Sequence, residues 1–333
     1  MDLPTQLLQM ASGAWITQML HVAAELSLAD QLEGGDRSAE DLAAACAAHP
    51  DTLFRLLRAL ASVGVFQETA PRTFALTPLA ELLHSDHPQS LRQFLRMLGE
   101  EHYLAWDGLL QSVRSGTPAF HERYGCSVFE HYQQQPERGE IFDGAMSDFS
   151  RQEIAGLLAA FSFEGITHLV DVGGGRGELL MRVLDRHPHL QGTVFDQPSV
   201  VAPVSVPTAL EGRLNVVAGD FFQAVPAGAD AYLLKHIIHD WDDDRCLRIL
   251  GHIRSAMAPG GRVLILEQVI PPGNDPFPGK LLDLNMLVMT EGGRERTPEE
   301  YALLLEKAGL RLSAITPTPS PISVVEAVAI TSA

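Results

Sequence analysis

The stretch LLKHIIHDWD, residues 233–242, places four side chains that can do chemistry within six residues. Lys235 and Asp240 are charged groups, and His236 and His239 can take up or release a proton near neutral pH. The apolar run that precedes them predicts a buried strand. The end of this strand therefore offers a candidate general base together with a cation and an acid.

The same histidines and acids could also be metal ligands. His236 and His239 have HxxH spacing, but a third ligand at helical spacing is missing. The aspartates at 242–244 are typical of a helix N-terminus, where carboxylates meet the positive end of the helix dipole. We therefore predict no catalytic metal.

The elements that position these residues alternate between strand and helix from residue 166 onward. Apolar runs typical of strands occupy residues 166–174, 191–198, 213–222, 231–238 and 262–270, and helical patterns lie at 177–188 and 244–261. Such alternation predicts a mainly parallel α/β sheet with helices on both faces. Two further apolar runs in 311–330, joined by a proline-rich loop, predict a terminal hairpin added to that sheet.

Three strand ends carry residues suited to a nucleoside. Gly173 opens a glycine loop that lets a ligand approach backbone amides at a helix N-terminus. Asp196 can accept hydrogen bonds from ribose hydroxyls, and Asp220 can meet an amino group beside Phe221, whose ring can cover a base. Glu178 stands where the dinucleotide fingerprint needs glycine or alanine, which disfavours an NAD(P)-dependent oxidoreductase. The acids could also be ordinary turn residues.

The first hundred residues predict helices followed by a hairpin, the outline of a winged helix. The helix that begins near Asp51 and ends near Val63 carries only Arg55 and Arg58 as basic residues among apolar neighbours. With a formal net charge of −18, the chain would repel phosphate backbones. A DNA-binding regulator is therefore disfavoured, and a core or subunit-interface helix is favoured.

Composition narrows the class of protein. A chain of 333 residues, 46% hydrophobic and 20% charged, is an ordinary globular composition with two domains as the default. No secretory leader or bilayer-length apolar run is visible, and the three cysteines show no CxxC spacing. We expect a cytoplasmic protein without nucleic-acid or membrane partners.

Several ordered segments carry a family resemblance. VDVGGGRGELL, VFDQPSV, GDFF, LLKHIIHDWDDDRC, LEQVIPP and EGGRERTPEEY, preceded by FDGAMSDFS, resemble S-adenosylmethionine-dependent small-molecule O-methyltransferases of the plant caffeate and flavonoid type and of bacterial secondary metabolism. The resemblance implies a Rossmann-like doubly wound sheet with an N-terminal winged-helix dimerisation domain, and hence a homodimer. It implies dimerisation in 1–100, connecting helices that contribute to the acceptor pocket in 101–165, and catalysis in 166–333.

The resemblance also assigns the cofactor S-adenosylmethionine, its product S-adenosylhomocysteine, and site residues by position. It implies cofactor contacts at Ser150, Gly173, Asp196, Asp220, Phe221 and Lys235. It places the general base at His239, assisted by Glu267 and Glu295. It places the acceptor pocket at Phe142, Met146, His236, Asn285 and Met286.

The residues alone leave alternatives to these roles open. A histidine at a strand end is often structural, and Glu295 lies between Arg294 and Arg296 as in a solvated loop. Asp240 is interpreted as a cap of the next helix or as a residue that orients the loop.

The expected reaction is methyl transfer to a hydroxyl of an aromatic acceptor such as a phenol, quinol, flavonoid, phenazine or polyketide. The same fold and cofactor also serve hydroxylation, decarboxylation and pericyclic reactions in relatives of the family. Those reactions do not need a phenol base, so the presence of His239, Glu267 and Glu295 together favours methylation.

Overall fold

The computed structural model describes residues 2–330, apart from the side chain of Gln152. These residues form two compact units. The first contains the chain up to residue 107 and residues 129–149, and the second contains residues 108–128 and the chain from 150 onward.

The helices, in chain order, are α1 (Leu3–Ala11), α2 (Gly13–Glu25), α3 (Leu28–Gln31), α4 (Ala39–Ala45), α5 (Pro50–Ser62), α6 (Pro78–Glu81), α7 (Arg92–Met97), α8 (Tyr103–Trp106), α9 (Leu109–Ser115), α10 (Ala119–Tyr124), α11 (Val128–Gln134), α12 (Pro136–Ala160), α13 (Glu178–Arg186), α14 (Pro198–Val201), α15 (Asp243–Ala256), α16 (Pro278–Met289) and α17 (Pro298–Lys307). A π-helical turn spans Leu98–His102, and 3₁₀ turns span Thr208–Leu210 and Ile238–Asp240. No helix within residues 2–330 is long and apolar enough to cross a bilayer.

The strands are β1 (Arg37–Ser38), β2 (Phe66–Ala70), β3 (Thr73–Leu76), β4 (His168–Val172), β5 (Gln191–Asp196), β6 (Leu214–Ala218), β7 (Ala231–Lys235), β8 (Arg262–Glu267), β9 (Leu310–Pro317) and β10 (Ser323–Ala329).

The first unit contains the predicted winged helix. Ser38 caps α4 by accepting a hydrogen bond from the Asp41 amide, and Leu53, Leu57 and Leu60 form the buried face of α5. Strands β2 and β3 pair as an antiparallel hairpin, and β1 adds to β3 in the order β1-β3-β2. The sequence predicted this outline because helical spacing and strand alternation are local patterns.

The second unit contains a seven-stranded sheet in the order β6-β5-β4-β7-β8-β10-β9. Strands β6, β5, β4, β7 and β8 run parallel, and β10 and β9 pair antiparallel beyond them. The predicted doubly wound sheet with a terminal hairpin is confirmed. The strand order reverses between β4 and β7, and ligands bind outside the carboxyl ends of strands at such a point.

Strand β7 lies at the centre of this sheet. Its residues 231–234 are buried, as expected for a parallel strand covered on both faces. One face packs against α15 and α17, and the other packs against α13 and the end of α12. This packing fixes the carboxyl end of β7, where Lys235 and the two histidines follow.

Candidate active site

The chain after β7 makes a single 3₁₀ turn that contains His239 and then enters α15. Asp242 caps this helix by accepting a hydrogen bond from the Arg245 amide at 2.8 Å. The aspartates at 242–244 thus begin a helix, as predicted. The capping role considered for Asp240 is wrong, because Asp242 takes it and the Asp240 carboxylate lies 3.5 Å from His239 Nε2.

His239 is buried between acids. Its side chain is 7% exposed, and Nδ1 lies 2.6 Å from Glu295 Oε1. A carboxylate at this distance accepts the Nδ1 hydrogen and thereby sets the tautomer, so that Nε2 is the nitrogen available to a substrate. The His239 imidazole and the Glu295 carboxylate, which the resemblance assigns to one pair, are therefore in direct hydrogen-bond contact.

Glu267 acts on the backbone of the same residue. Its carboxylate is fully buried at the end of β8, where Oε1 accepts a hydrogen bond from the His239 amide at 3.0 Å. The Tyr301 hydroxyl donates to Oε2. The two glutamates therefore differ in position: Glu295 contacts the imidazole ring, and Glu267 holds the turn that carries it.

The loop before α17 is packed against the His239 turn. Any side chain at Gly293 would lie within 2.5 Å of the His239 carbonyl oxygen, so only glycine permits this close approach. The Arg294 amide donates to that same oxygen at 2.7 Å. Glu295 itself is 3% exposed, and its amide donates to Asp283 at 3.0 Å. The alternative of a solvated loop at Glu295 is therefore wrong.

The buried Arg296 side chain donates hydrogen bonds to the backbone of the His239 turn. Its side chain is 1% exposed and donates to the carbonyl oxygens of Ile238 at 3.1 Å and Trp241 at 3.3 Å, and to Asp243 at 2.9 Å. A buried guanidinium with several fixed acceptors holds its neighbours in one arrangement. Arg296 thus joins the two ends of the His239 turn to the start of α15.

The acids around His239 determine its protonation. Burial alone would lower the pKa of His239, but the charges of Glu295 and Asp240 outweigh it and raise that pKa to about 10. A raised pKa makes this imidazole a stronger proton acceptor for a phenolic hydroxyl. The free site holds the imidazole proton at lower pH, and the fraction able to act as a base rises with pH.

Replacing Glu295 with glutamine is expected to lower the pKa of His239, because a charge that favours the imidazolium is removed. The rising limb of the plot of kcat/KM against pH should then shift to lower pH by about one pH unit or more. Glu267→Gln is the matched control and should move the limb less, since Glu267 bonds the backbone amide. Equal shifts in the two variants would contradict the assignment of Glu295 to the ring.

The predicted cofactor residues lie at the carboxyl ends of adjacent strands. Gly173 follows β4 with a φ of +70°, and Asp196 at the end of β5 accepts a hydrogen bond from the Gly175 amide at 2.8 Å. Asp220, after β6, accepts from the Phe222 amide at 2.8 Å. The Phe221 ring would lie 3.7 Å from a Cβ at Gly173. These groups line one edge of the sheet next to the end of β7.

Buried polar groups at this edge fit a cationic nucleoside. Asp171 in β4 is 2% exposed, and its Oδ2 has no hydrogen-bond partner among the described residues. Burial raises the pKa of Asp171 to about 7. A buried carboxyl of this kind is stabilised by a cationic or hydrogen-bond-donating ligand. S-adenosylmethionine carries such groups and ribose hydroxyls, so the residues present fit the cofactor that the resemblance implies.

The remaining predicted residues occupy three places. Ser150 lies on α12 and is 8% exposed. Asn285 and Met286 lie on α16, the helix whose Asp283 accepts the Glu295 amide. Phe142 and Met146 lie in the first unit, packed against Met97, Ile141 and Ala145.

Sequence reasoning missed five residues of the second unit that support the site. They are Glu153, Asp171, Asp283, Arg296 and Tyr301. Only Asp171 carried a signal, as an acid inside an apolar strand. The others lie in segments with ordinary local patterns, and the residues that they bond in the site are 12–83 positions away in sequence.

One group of side chains in residues 2–330 has the spacing of a metal site: His21, Glu25 and Glu100 in the first unit. Arg96 donates to both carboxylate oxygens of Glu25 at 3.0 and 3.2 Å, and Arg138 donates to Glu100. These carboxylates are therefore already paired with guanidinium groups.

Known proteins match this chain along nearly its whole length. Residues 8–86 match an O-methyltransferase dimerisation domain, and residues 106–311 match an O-methyltransferase domain. Phenazine O-methyltransferase PhzM from Lysobacter antibioticus is 42% identical, covering 96% of this chain and 95% of the relative. Phenazine-1-carboxylate N-methyltransferase from Pseudomonas aeruginosa is 36% identical, covering 94% and 93%.

Solved structures give the same result. The crystal structure of LaPhzM matches with a TM-score of 0.94 and 42% identity, covering 98% of this chain and 99% of that one. The O-methyltransferase NcsB1 from neocarzinostatin biosynthesis, solved with S-adenosylmethionine and 2-hydroxy-5-methyl naphthoic acid, matches with a TM-score of 0.82 and 37% identity, covering 94% and 96%. Since the domain match covers more than half of the chain, and relatives match over nearly their full length, this protein belongs to the O-methyltransferase family.

Proposed function

We propose that this enzyme transfers a methyl group from S-adenosylmethionine to a hydroxyl of an aromatic small molecule, with His239 as the general base. The observation that carries the proposal is the buried contact of 2.6 Å between His239 Nδ1 and Glu295 Oε1 at the cofactor edge of the sheet. An aromatic amine attacks through its own lone pair, whereas a phenol attacks far better once its proton is removed. A fixed imidazole–carboxylate pair therefore favours a hydroxyl acceptor over a nitrogen acceptor.

The bound cofactor supplies an electrophilic methyl group on a positively charged sulfur. The protein residues then have two tasks, alignment and proton removal. His239 Nε2 accepts the hydroxyl proton, and Glu295 stabilises the imidazolium that results. Glu267 holds the His239 amide, so that the ring keeps its position during the transfer.

The cofactor residues have complementary roles in this proposal. Asp196, which lies beside the glycine loop, would accept hydrogen bonds from the ribose, the loop at Gly173 would allow close backbone approach, and Phe221 would cover the base. Asp220 would accept a hydrogen bond from the amino group of the adenine. Lys235 and Ser150 help to seat the remainder of the cofactor, and the charge of Lys235 also acts on the buried Asp171.

The acceptor is proposed to be flat and largely apolar. In the second unit, Met286 supplies sulfur-containing surface, and His236 and Asn285 supply polar atoms. Phe142 and Met146 of the first unit are assigned to the acceptor by the family resemblance. NcsB1 has been solved with a naphthoic acid, and PhzM is named for a phenazine. We propose an acceptor of similar size for this enzyme and a role in secondary metabolism.

A homodimer is proposed for the active form, with residues 1–100 as the dimerisation region. Helix α1 has no buried residue, and Leu3, Leu7 and Leu8 are each at least 70% exposed. Exposed apolar surface on a helix that leads into the dimerisation-domain match at residues 8–86 fits contact with a second copy. Residues 101–165 would contribute to the acceptor pocket and 166–333 would carry catalysis. Three free cysteines fit a reducing compartment such as the cytoplasm.

Incubation with methyl-labelled S-adenosylmethionine and a panel of hydroxylated naphthalenes and phenazines tests the proposal. Label should appear in an aryl methyl ether, with one S-adenosylhomocysteine formed for each ether. Because no metal takes part in the proposed reaction, a strong chelator should leave the rate unchanged. Label only on nitrogen, or acceptor conversion without transfer of label, would contradict the proposed reaction.

A further inference from the structure

His236 lies beside the proposed base in a strained backbone conformation. Its φ is +53°, in the left-handed region that non-glycine residues rarely adopt. The ring centroids of His236 and His239 are 5.0 Å apart, with 34° between the ring planes. Strain of this kind persists where the surrounding structure holds a residue in place, and it is frequent at functional sites.

A buried acid on α12 fixes the His236 ring. Glu153 Oε1 lies 2.8 Å from His236 Nε2, and Glu153 Oε2 lies 3.5 Å from Lys235 Nζ. Burial alone would raise the pKa of Glu153, but its contacts with His236 and Lys235 lower that pKa to about 2. Glu153 is therefore an ionised acceptor, and the hydrogen of His236 points to it from Nε2.

The other nitrogen of this ring has no partner. His236 Nδ1 is buried and lacks a hydrogen bond to any described residue. In a neutral imidazole that donates from Nε2, Nδ1 is an acceptor. Leaving a buried acceptor unsatisfied destabilises the site, and a ligand with a suitably placed donor would recover that loss.

The charges nearby favour a neutral donor over an anionic substituent. Burial, together with the carboxylates of Glu267 and Glu295, raises the pKa of Asp240. The carboxylates of Asp240, Glu153, Glu267 and Glu295 outnumber the nearby cations, which are the ammonium of Lys235 and the imidazolium of His239. An acceptor carboxylate placed here would be repelled. A hydroxyl or amine would instead donate to His236 Nδ1.

We propose that the Glu153–His236 pair recognises a hydroxyl or amino group next to the hydroxyl that is methylated. His236 is then a specificity-determining residue, and Glu153 is a positioning residue that orients its ring. The substrate class that follows is an aromatic with vicinal donors, a catechol or an ortho-aminophenol. This inference rests on the proposed methylation of a phenolic hydroxyl beside His239.

Four matched acceptors test the inference at pH 8.5: 2,3-dihydroxynaphthalene, 3-amino-2-naphthol, 2-naphthol and 3-hydroxy-2-naphthoate. In the wild-type enzyme, kcat/KM should be at least about 10-fold higher for the first two than for 2-naphthol, as expected for pairing one buried acceptor. The naphthoate should be the poorest. Equal kcat/KM for all four acceptors, or preference for the naphthoate, would overturn the inference while the proposed function stands. Absence of methylation of all four would instead count against the proposed function.

Variants then assign the preference to the pair. The readout is the ratio of kcat/KM for 2,3-dihydroxynaphthalene to that for 2-naphthol, in which any loss common to both acceptors cancels. His236→Phe keeps an aromatic ring without Nδ1 and should reduce the ratio to within about threefold of unity. Glu153→Leu should do the same, whereas Glu153→Gln keeps an acceptor oxygen and should restore most of the ratio. A ratio unchanged in both His236→Phe and Glu153→Leu would exclude the pair. The wild-type series decides the substrate class even if a variant does not fold.

Discussion

Replacement of His239 by alanine is expected to lower kcat for a phenolic acceptor by about 10²-fold or more, while the affinity for S-adenosylmethionine stays nearly unchanged. The imidazole is the proposed proton acceptor, and its direct contacts are to Glu295 and Asp240. Steady-state rates and calorimetric titration of the cofactor measure the two quantities separately.

The acceptor itself provides the sharpest control for this variant. A nitrophenol that is already ionised at the assay pH needs no base. The His239→Ala variant should therefore methylate it at a rate within about 10-fold of the wild-type rate. His168→Ala is the matched histidine control and should change kcat little. His168 lies at the start of β4, at the end of the strand away from the site, and its ring hydrogen-bonds Thr193 at 3.0 Å. If His239→Ala kept the wild-type rate, alignment of the two substrates would be left as the source of catalysis.

Replacement of Arg296 by methionine is expected to destabilise the protein by about 2–4 kcal/mol, because two carbonyl oxygens lose their buried donor. This corresponds to a fall in Tm of roughly 5–10 °C. The same change frees both ends of the His239 turn, so activity should fall together with stability. Thermal unfolding followed by circular dichroism, with methylation measured well below the lowered Tm, checks both effects.

The neighbouring arginine is the matched control. Arg294 also donates to Asp243, at 2.9 Å, but its side chain is 46% exposed. Exposed ion pairs contribute about 0–1 kcal/mol, so Arg294→Met should change Tm by no more than a few degrees. Similar losses in the two variants would mean that the charge of Asp243, rather than the buried carbonyls, dominates.

The sequence predicts the parts of the fold that depend on local pattern. The apolar run before Lys235 is a central strand, and the three aspartates after Trp241 begin a helix, because burial periodicity and capping involve residues close together in the chain. The acids at 196 and 220 were located at strand ends for the same reason. Their position at one edge follows once the strands are parallel.

Contacts between distant segments could not be predicted in this way. Glu153 and His236 are 83 residues apart, and Tyr301 and Glu267 are 34 apart. Glu295 has two charged neighbours, which is an exposed pattern, and its burial follows only from the packing of the loop against the His239 turn. From the sequence, Asp240 is interpreted as a helix cap or as a residue that orients the loop, because aspartate is a good cap, but the cap is Asp242 and the helix begins at Asp243.

The two backbone hydrogen bonds of His239 have a consequence for the energetics of turnover. The Glu267 carboxylate accepts a hydrogen bond from the His239 amide, and the His239 carbonyl oxygen accepts one from the Arg294 amide. The peptide groups on both sides of His239 are therefore fixed by folding. The base is thus preorganised, and the protein need not rearrange around it as charge develops on the imidazole. The reorganisation free energy that water would require around an imidazole in solution is largely absent from the proton-transfer step.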